Sequence, residues 1–293
     1  GSTWSALGAG TNSTVYALAV SGEDLYAGGA FTEAGGAPAS RIARWDGATW
    51  SALAEGTNNS VRALAPCGDG LYAGGGFSEA GGIPAGNVAK WDGSTWSALG
   101  SGTSATVRGL ALNGTDLYVA GHFIEAGGGA ASYVAKWDGL TWSALGAGTD
   151  DAVYAVSAGP SGVHVGGQFT EAGGSPSFCF GRWVTALTLV TPNGGETWET
   201  GSSRTISWTG AAYRVHLEST ADGGATWSAI AASVVNTGSF LWTVPDTLTS
   251  LGAVRITDAD DPGRTDGSDG TFTIVGFDLT SPDGGEAWEA GSS

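Results

Sequence analysis

The sequence contains no methionine, two cysteines, three histidines and only 11 Lys and Arg residues against 28 Asp and Glu residues. The formal charge of −17 repels a phosphate backbone, so we expect no nucleic-acid partner. No apolar run approaches the ~20 residues that span a bilayer, and we therefore expect no direct membrane insertion. The chain begins at Gly1 without a charged and apolar leader, and we interpret it as a mature or excised fragment.

The few histidines restrict the catalytic sites that the chain can form. They occur as His122, His164 and His216, with no common spacing. Neither a metal triad nor a Ser-His-Asp arrangement can be assembled from them, and no phosphate loop or dinucleotide fingerprint occurs. We therefore predict that the protein is not an enzyme. Calcium, considered below, is the one cofactor that the composition suggests.

What the sequence does contain is a repeat of 46 residues in its first 183 residues. Three aromatic series recur at this spacing: Phe31, Phe77, Phe123 and Phe169; Trp45, Trp91, Trp137 and Trp183; and Trp4, Trp50, Trp96 and Trp142. A period of about 40 to 50 residues with four short strands per unit is typical of β-propellers.

Each repeat has the pattern of one propeller blade. Alternating or apolar runs predict strands at 15–20, 24–31, 41–46 and 49–53 in the first repeat, with an Asp-Gly hairpin between the last two. Glycines such as Gly28 in the second strand would weaken an isolated strand. We expect them to permit close approach of adjacent blades or of the strand's neighbours near the crowded axis.

The two ends of the repeat region complement each other. Residues 3–7 match an isolated fourth strand, and the last repeat stops after its third strand at Trp183, where Val184 replaces the hairpin aspartate. Three complete repeats and two halves make four blades. We predict an all-β fold with a four-bladed propeller over residues 1–184, in which the N-terminal strand closes the last blade.

The two cysteines occupy different positions of the repeat. Cys67 falls in the turn between the first two strands, and Cys179 begins the third strand two repeats later. In a propeller these positions lie at opposite faces, beyond the ~7 Å Cα separation that a disulfide allows. We therefore predict two unpaired thiols.

A different module begins where the repeat ends. Strand-like runs at the spacing of a sandwich predict an Ig-like β-sandwich over residues 185–275. Its opening, residues 191–198, recurs in similar form at residues 281–288. Residues 276–293 are too few to bury a core, so we interpret them as the truncated start of a second Ig-like domain or as a strand exchanged with another copy.

Both modules resemble known families. The pattern Gly-Gly-x-Phe-Thr-x-Ala-Gly-Gly, followed by Trp-Asp-Gly-x-x-Trp, resembles the delta-60 and cortical-marker type of Kelch-like propeller repeat. The second module, with Pro-Asn-Gly-Gly-Glu-x-Trp, resembles the Ig-like domain of the Ser/Thr-rich anchored wall-protein family of bacterial extracellular proteins. Both resemblances imply a secreted, extracellular or cell-surface location, and neither implies a catalytic residue.

One acidic residue recurs in the loop between the second and third strands of every repeat. These residues are Glu33, Glu79, Glu125 and Glu171. They are candidate ligand-binding residues, as equivalent sites for a cation or for sugar hydroxyls. Alternatively, each carboxylate accepts N–H bonds from its own Gly-Gly turn and is structural.

A second acidic group lies near the end of the sandwich and consists of Asp258, Asp260, Asp261, Asp266 and Asp269. Several carboxylates in one loop are a candidate calcium site, because calcium takes six to eight oxygen ligands. Their spacing differs from an EF-hand, and a solvated acidic turn is the alternative.

These features predict a non-enzymatic extracellular or cell-surface structural or adhesion protein. The propeller would be a binding or assembly module on an Ig-like stalk, and in one variant a fibre subunit joined by its terminal strand. Expected partners are other copies of the chain or an extracellular glycan or protein. A glycan-binding lectin with repeated sites on one propeller face is the alternative, and a secreted hydrolase is a third hypothesis. Residues 220–227 match the Asp-box turn of sialidases, but in those enzymes the box is a structural turn distant from the chemistry, and nothing else in the sequence supports a sialidase.

Overall fold

The computed structural model describes residues 3–68 and 70–276. The described residues form strands and turns, so the predicted all-β class is confirmed. No helix in these ranges has the length and apolar character needed to cross a bilayer. The chain divides into two compact units, Gly1–Trp183 and Val184–Ser293.

The first unit contains four repeats of the same strand pattern. The first repeat has β1 (Val15–Ser21), β2 (Asp24–Gly29), β3 (Glu33–Ala34), β4 (Ala37–Pro38), β5 (Ile42–Trp45) and β6 (Trp50–Ala52). The second has β7 (Val61–Cys67), β8 (Gly70–Gly75), β9 (Glu79–Ala80), β10 (Ile83–Pro84), β11 (Val88–Trp91) and β12 (Trp96–Ala98). The third has β13 (Val107–Asn113), β14 (Asp116–Gly121), β15 (Glu125–Ala126), β16 (Gly129–Ala130), β17 (Val134–Trp137) and β18 (Trp142–Ala144). The fourth has β19 (Val153–Gly159), β20 (Gly162–Gly167), β21 (Glu171–Ala172), β22 (Ser175–Pro176) and β23 (Phe180–Trp183).

Each repeat forms one antiparallel sheet and one two-stranded ribbon. Sheet 1 has the order β1-β2-β5-β6, and sheets 2 and 3 repeat it as β7-β8-β11-β12 and β13-β14-β17-β18. Sheet 4 has three strands, β19-β20-β23. The ribbons are β3-β4, β9-β10, β15-β16 and β21-β22. The Asp-Gly hairpin aligns Trp45 with Trp50, and their ring centroids lie 5.5 Å apart.

Successive sheets pack face to face through their first strands, β1 on β7, β7 on β13 and β13 on β19. The phenylalanine series lies in these cores, and each member is 0% exposed. A Cβ added to Gly28 would lie 2.6 Å from Val61 Cγ1, and one added to Gly74 would lie 2.4 Å from Val107 Cγ1. The expected role of these glycines in close sheet approach is therefore confirmed.

The predicted closure by the N-terminal strand is wrong for this structure. Residues 3–7 form no strand, sheet 4 keeps an unpaired edge at β23, and the Trp4 side chain is fully exposed. The reason is the placement of the sheets, since β1 of sheet 1 packs on β7 and β19 of sheet 4 packs on β13. Residues 3–7 therefore stay beside sheet 1, where the Leu7 carbonyl accepts a hydrogen bond from Trp50 Nε1 at 2.9 Å. Trp96 holds the Leu53 carbonyl in the same way at 3.0 Å. This contact keeps the N-terminal segment beside the first sheet.

The second unit forms two sheets that share one core. Its strands are β24 (Thr188–Thr191), β25 (Thr197–Glu199), β26 (Ser203–Thr209), β27 (Arg214–Thr220), β28 (Ser228–Val235), β29 (Ser239–Thr243), β30 (Thr249–Asp258), β31 (Thr265–Gly267) and β32 (Phe272–Val275). One sheet has the order β24-β26-β29, and the other has β25-β32-β30-β27-β28 with β31 on β30. Strands β25 and β32 run parallel, and the Thr191-Pro192 peptide is cis.

Aromatic rings from both sheets form this core. Trp198 lies 5.9 Å from Trp242 and 5.0 Å from Phe272 between ring centroids. Buried Ile206, from the smaller sheet, and Leu217, from the larger one, belong to the same cluster. The predicted tail at 276–293 lies outside the described residues, except for Gly276.

Candidate functional site

The predicted glutamates occupy the same place in each repeat. Glu33 is the first residue of β3 and pairs with Pro38 of β4, while its side chain is exposed. Gly35 and Gly36 turn the chain between these strands with φ values of 62° and 81°, in the left-handed region that favours glycine. The other three exposed glutamates are Glu79, Glu125 and Glu171.

A polar side chain 21 residues earlier holds each glutamate loop. Asn12 Oδ1 accepts the N–H groups of Thr32 and Glu33 at 2.9 and 3.1 Å. The equivalent acceptors in the other repeats are Asn58, Ser104 and Asp150. Sequence reasoning missed these residues. The available signal was that a residue with a side-chain oxygen lies 21 positions before the glutamate in every repeat, although its type changes between repeats.

The structural alternative for the glutamates relied on the amides of the Gly-Gly turn. The Gly35 N–H donates to the Gly10 carbonyl at 2.7 Å, and Gly81, Gly127 and Gly173 repeat this bond. These amides are therefore engaged by the backbone and not by the carboxylates. No group of three or more His, Cys, Asp or Glu side chains among the described residues is arranged to hold a metal ion.

The aspartates of the candidate calcium loop do not converge, so that prediction is corrected. Asp258 is fully buried in an ion pair with Arg264 and also accepts the Asp260 N–H at 2.9 Å. The other bonds are from Gly263 N–H to Asp261 at 3.2 Å, from Leu189 N–H to Asp266 at 2.7 Å and from Asn193 Nδ2 to Asp269 at 2.7 Å. Asp266 and Asp269 therefore bind segments that are distant in sequence, whereas Asp258 and Asp261 bind partners in their own loop, and no shared oxygen cage is formed.

The Asp-box segment forms a local turn. Asp222 accepts hydrogen bonds from the hydroxyl groups of Thr220 and Thr226, each at 2.6 Å, and from the Thr226 N–H at 2.9 Å. These donors, the Thr220 hydroxyl first, lower the pKa of Asp222. The carboxylate is thus committed to holding the hairpin, as expected for a structural Asp-box.

An arginine and tyrosine cluster lines the second position of the first strands. Its members are Tyr16, Arg62, Arg108 and Tyr154. The Arg62 guanidinium lies 4.8 Å from the Tyr16 ring centroid, and the Arg108 guanidinium lies 5.7 Å from that of Tyr154. The ion pairs found within the described ranges involve Arg44, Lys136, Arg255 and Arg264 and not these two arginines. Both guanidinium groups are therefore available to an anionic ligand.

His122 belongs to the same cluster. Arg108 Nε donates to His122 Nε2 at 3.2 Å, so this ring nitrogen is an acceptor. Burial, followed by the charge of Arg108, lowers the pKa of His122. The spacing of 46 residues between cluster positions was the sequence signal, but it is hidden because the position carries tyrosine in the first and fourth repeats and arginine in the second and third.

Two apolar faces at the ends of the four-sheet series are exposed. The leading face of sheet 1 consists of Val15 and Leu18, which are 38% and 64% exposed. At the position of Val15, Val61 and Val107 are 0% exposed in the later sheets.

The trailing face belongs to sheet 4 and consists of Gly166 and Phe180. Phe180 is 61% exposed, whereas Ile42 and Val88 at the same repeat position are 0% exposed. A Cβ on Gly166 would meet only the Cys179 carbonyl, at 3.7 Å. The surface that the inner sheets bury is therefore open at both ends.

No protein-family model and no curated protein matches the chain. Among solved structures, the chain is similar to the crystal structure of the computationally designed Ika4 protein, with 18% sequence identity and a TM-score of 0.41. That match covers 62% of this chain and 99% of the designed chain.

Proposed function

We propose that this chain is a non-enzymatic extracellular or cell-surface protein in which a β-propeller acts as a binding and assembly module on an Ig-like stalk. The propeller occupies residues 1–184 and the Ig-like sandwich occupies residues 185–275. Support comes from four sheets that pack in chain order and from two sheets that share one aromatic core. The resemblance of both modules to extracellular families supports the location.

The leading and trailing faces carry the assembly part of the proposal. Contiguous apolar surface that is buried in every inner sheet is exposed at both ends. Exposed apolar patches of this kind mark interaction sites. The absence of a recognisable catalytic set in the sequence supports the non-enzymatic part.

The proposal is tested by separating binding from turnover. The full chain is applied to a printed glycan array and to a panel of extracellular-matrix proteins, and it is assayed in parallel on sialosides and common glycosides. We expect retention on the array or panel and no hydrolysis above the buffer rate. Turnover of any of these substrates would contradict the proposal, as would failure to bind both surfaces.

Glycan binding is the second candidate function, and two observations favour it. The four loop glutamates expose carboxylates to solvent, which suits neutral sugar hydroxyl groups. The arginine and tyrosine cluster instead suits a sugar that carries a carboxylate, because guanidinium groups bind carboxylates and aromatic rings pack on apolar ring faces.

Stoichiometry distinguishes these two sites. Calorimetric titration with a neutral oligosaccharide from the array should approach four sites per chain if the loops bind, since each repeat carries one loop. Titration with galacturonate should give one site per chain if the cluster binds, and Arg62→Gln together with Arg108→Gln should abolish it. The matched control is Arg182→Gln, which removes an arginine outside the cluster. If neither four sites for the neutral oligosaccharide nor one site for galacturonate is measured, the glycan-binding candidate is wrong.

A further inference from the structure

We infer that a second copy of this chain completes the propeller. The leading face of each copy packs on the trailing face of the other, and residues 4–6 of each copy form the fourth strand of the other copy's sheet 4. This inference rests on the proposed propeller and names its assembly partner. It is carried by three junctions within the chain that show the same arrangement between consecutive sheets.

The first step is the missing strand. In sheets 1 to 3 a Trp-Ser-Ala segment forms the fourth strand, and in sheet 1 Trp50, Ser51 and Ala52 pair with Trp45, Arg44 and Ala43. Residues Trp4-Ser5-Ala6 have the same sequence and are unpaired. The free edge of β23 offers Trp183, Arg182 and Gly181 in the matching order.

The tryptophan pairs support this match. Trp45–Trp50, Trp91–Trp96 and Trp137–Trp142 each have ring centroids 5.4 to 5.5 Å apart. Trp183 lacks the fourth-strand tryptophan that the first three members of its series possess. Trp4 is the unmatched member of the other series, and its side chain is fully exposed. Pairing Trp4 with Trp183 would bury both rings as in the inner sheets.

The second step is the match between faces. Inside the chain, Ile42 of one sheet shares a buried cluster with Val61 of the next, and Val88 does so with Val107. Phe180 occupies the position of Ile42, and Val15 occupies that of Val61. The contact of trailing on leading face is thus already formed three times, with similar residues.

The third step links the strand to the face. The hydrogen bond from Trp50 Nε1 to the Leu7 carbonyl corresponds to the bonds from Trp96 to Leu53 and from Trp142 to Leu99. In the inner junctions, the residues just before this leucine are the fourth strand of the preceding sheet. Residues 4–6 therefore project from the leading face toward the position that the preceding sheet occupies at each inner junction. Docking the faces delivers the strand to β23.

The number of copies follows from closure. A head-to-tail contact produces a closed ring or an open filament. Propellers have about 4 to 8 blades, so two copies with four sheets each stay within that range, whereas three copies exceed it. The ring would also remove the exposed edge of β23, which otherwise invites uncontrolled strand addition.

The mass of the intact chain in solution is the first test. Sedimentation equilibrium or light scattering on the full chain should give twice the chain mass of 29.1 kDa. A monomer across the accessible concentration range, or a series of larger species, would overturn the inference. The result does not depend on a ligand. A dimer that binds nothing on the arrays would leave the inference standing and remove the proposed binding role, and a monomer that binds would do the reverse.

Disulfide trapping tests the strand exchange itself. With Cys67 and Cys179 replaced by serine, Ser5→Cys and Arg182→Cys place thiols at positions that pair as Ser51 and Arg44 do. Mild oxidation should give a covalent dimer on a non-reducing gel. The control pair, Ser5→Cys with Ser94→Cys, should stay monomeric on that gel. A Ser5–Arg182 pair that crosslinks within one chain would overturn the inference in favour of a closed four-sheet ring.

A face variant completes the test. Leu18→Asp places a charge on the leading face, where a single copy already exposes the side chain, so the chain should still fold. Loss of a central apolar contact should raise the dimer dissociation constant by about 30-fold or more. The control variant Leu140→Asp alters an exposed leucine in a hairpin turn. It should leave the dimer dissociation constant unchanged. A Leu18→Asp chain that stays folded and dimeric would overturn the proposed contact.

Discussion

At the scale of single residues, one backbone position is left-handed in every repeat whatever side chain it carries. Arg41, Asn87, Tyr133 and Cys179 have φ values of 65°, 65°, 66° and 62°. In each repeat the N–H donates to the carbonyl of the core phenylalanine, and the carbonyl accepts an N–H from the second strand or its end. The fold therefore imposes this conformation even on arginine, tyrosine and cysteine, which disfavour it.

Cys179 allows this backbone strain to be measured, because its side chain is exposed. We expect Cys179→Asn to raise the free energy of unfolding by about 0.5–1 kcal/mol, since asparagine tolerates the left-handed region. Cys179→Val should lower it by about 1 kcal/mol, because a β-branched residue tolerates that region poorly. Urea unfolding followed by tryptophan fluorescence measures both, and the opposite order would contradict the explanation.

The residue that supports a glutamate loop offers a second test. Asn58 Oδ1 accepts the N–H groups of Ser78 and Glu79 at 3.0 and 3.1 Å. Asn58→Ala should lower the free energy of unfolding by about 1–2 kcal/mol, since a protein hydrogen bond contributes about 0.5–1.5 kcal/mol. Asn58→Asp is the control because Asp150 holds the same place in the fourth repeat. Equal losses in both variants would show that the acceptor oxygen is not the cause.

At the scale of elements, the hairpin between the last two strands depends on one aspartate. Asp138 Oδ1 accepts the N–H groups of Leu140 and Thr141 at 2.8 and 2.7 Å. These donors, Thr141 first, lower the pKa of Asp138 to about 2. Asp46 and Asp92 make the same bonds. The fourth repeat has Val184 at this place, and its sheet has no fourth strand from its own repeat.

The lowered pKa predicts a pH dependence of stability. The charged form of Asp138 stabilises the folded chain fully above the unfolded pKa of 3.8 and loses this effect as the pH falls toward the folded value of about 2. Asp138→Asn keeps the acceptor oxygen and removes the charge. The stability difference between wild type and variant should be constant from about pH 7 to 5 and shrink from about pH 4 to 2. A difference that persists unchanged at pH 2 would contradict this origin.

At the scale of the whole molecule, charge opposes the inferred pairing of two copies. Each chain carries a formal charge of −17, so two copies repel each other over distances that salt screens. The contact faces are apolar and lose nothing when salt is added. We expect the dimer dissociation constant to fall as NaCl rises from about 50 to 500 mM, where the Debye length drops several-fold. Sedimentation at both salt concentrations measures it, and dissociation at high salt would indicate a contact held by ion pairs.

The repeat and its strands were predictable because they depend on short-range patterns. Alternation and the Asp-Gly turn determine each hairpin, and the glycine at position 28 predicted close approach to the next sheet. The Asp258 to Asp269 group was not predictable, because Asp266 binds Leu189, 77 residues away, and that partner has no local signal. The support of the glutamate loops by Asn12 was missed for the same reason.

The sequence by itself determined the all-β class, the strand order within each sheet and the junction repeated between sheets, because these arise from contacts within one period. Only the tertiary structure decided where the N-terminal segment lies, which aspartates are used internally and which apolar faces remain exposed. Those features depend on the angle that accumulates over successive sheets and on partners distant in the chain. A repeated pattern specifies each junction, but it does not specify how many junctions are needed to close a ring.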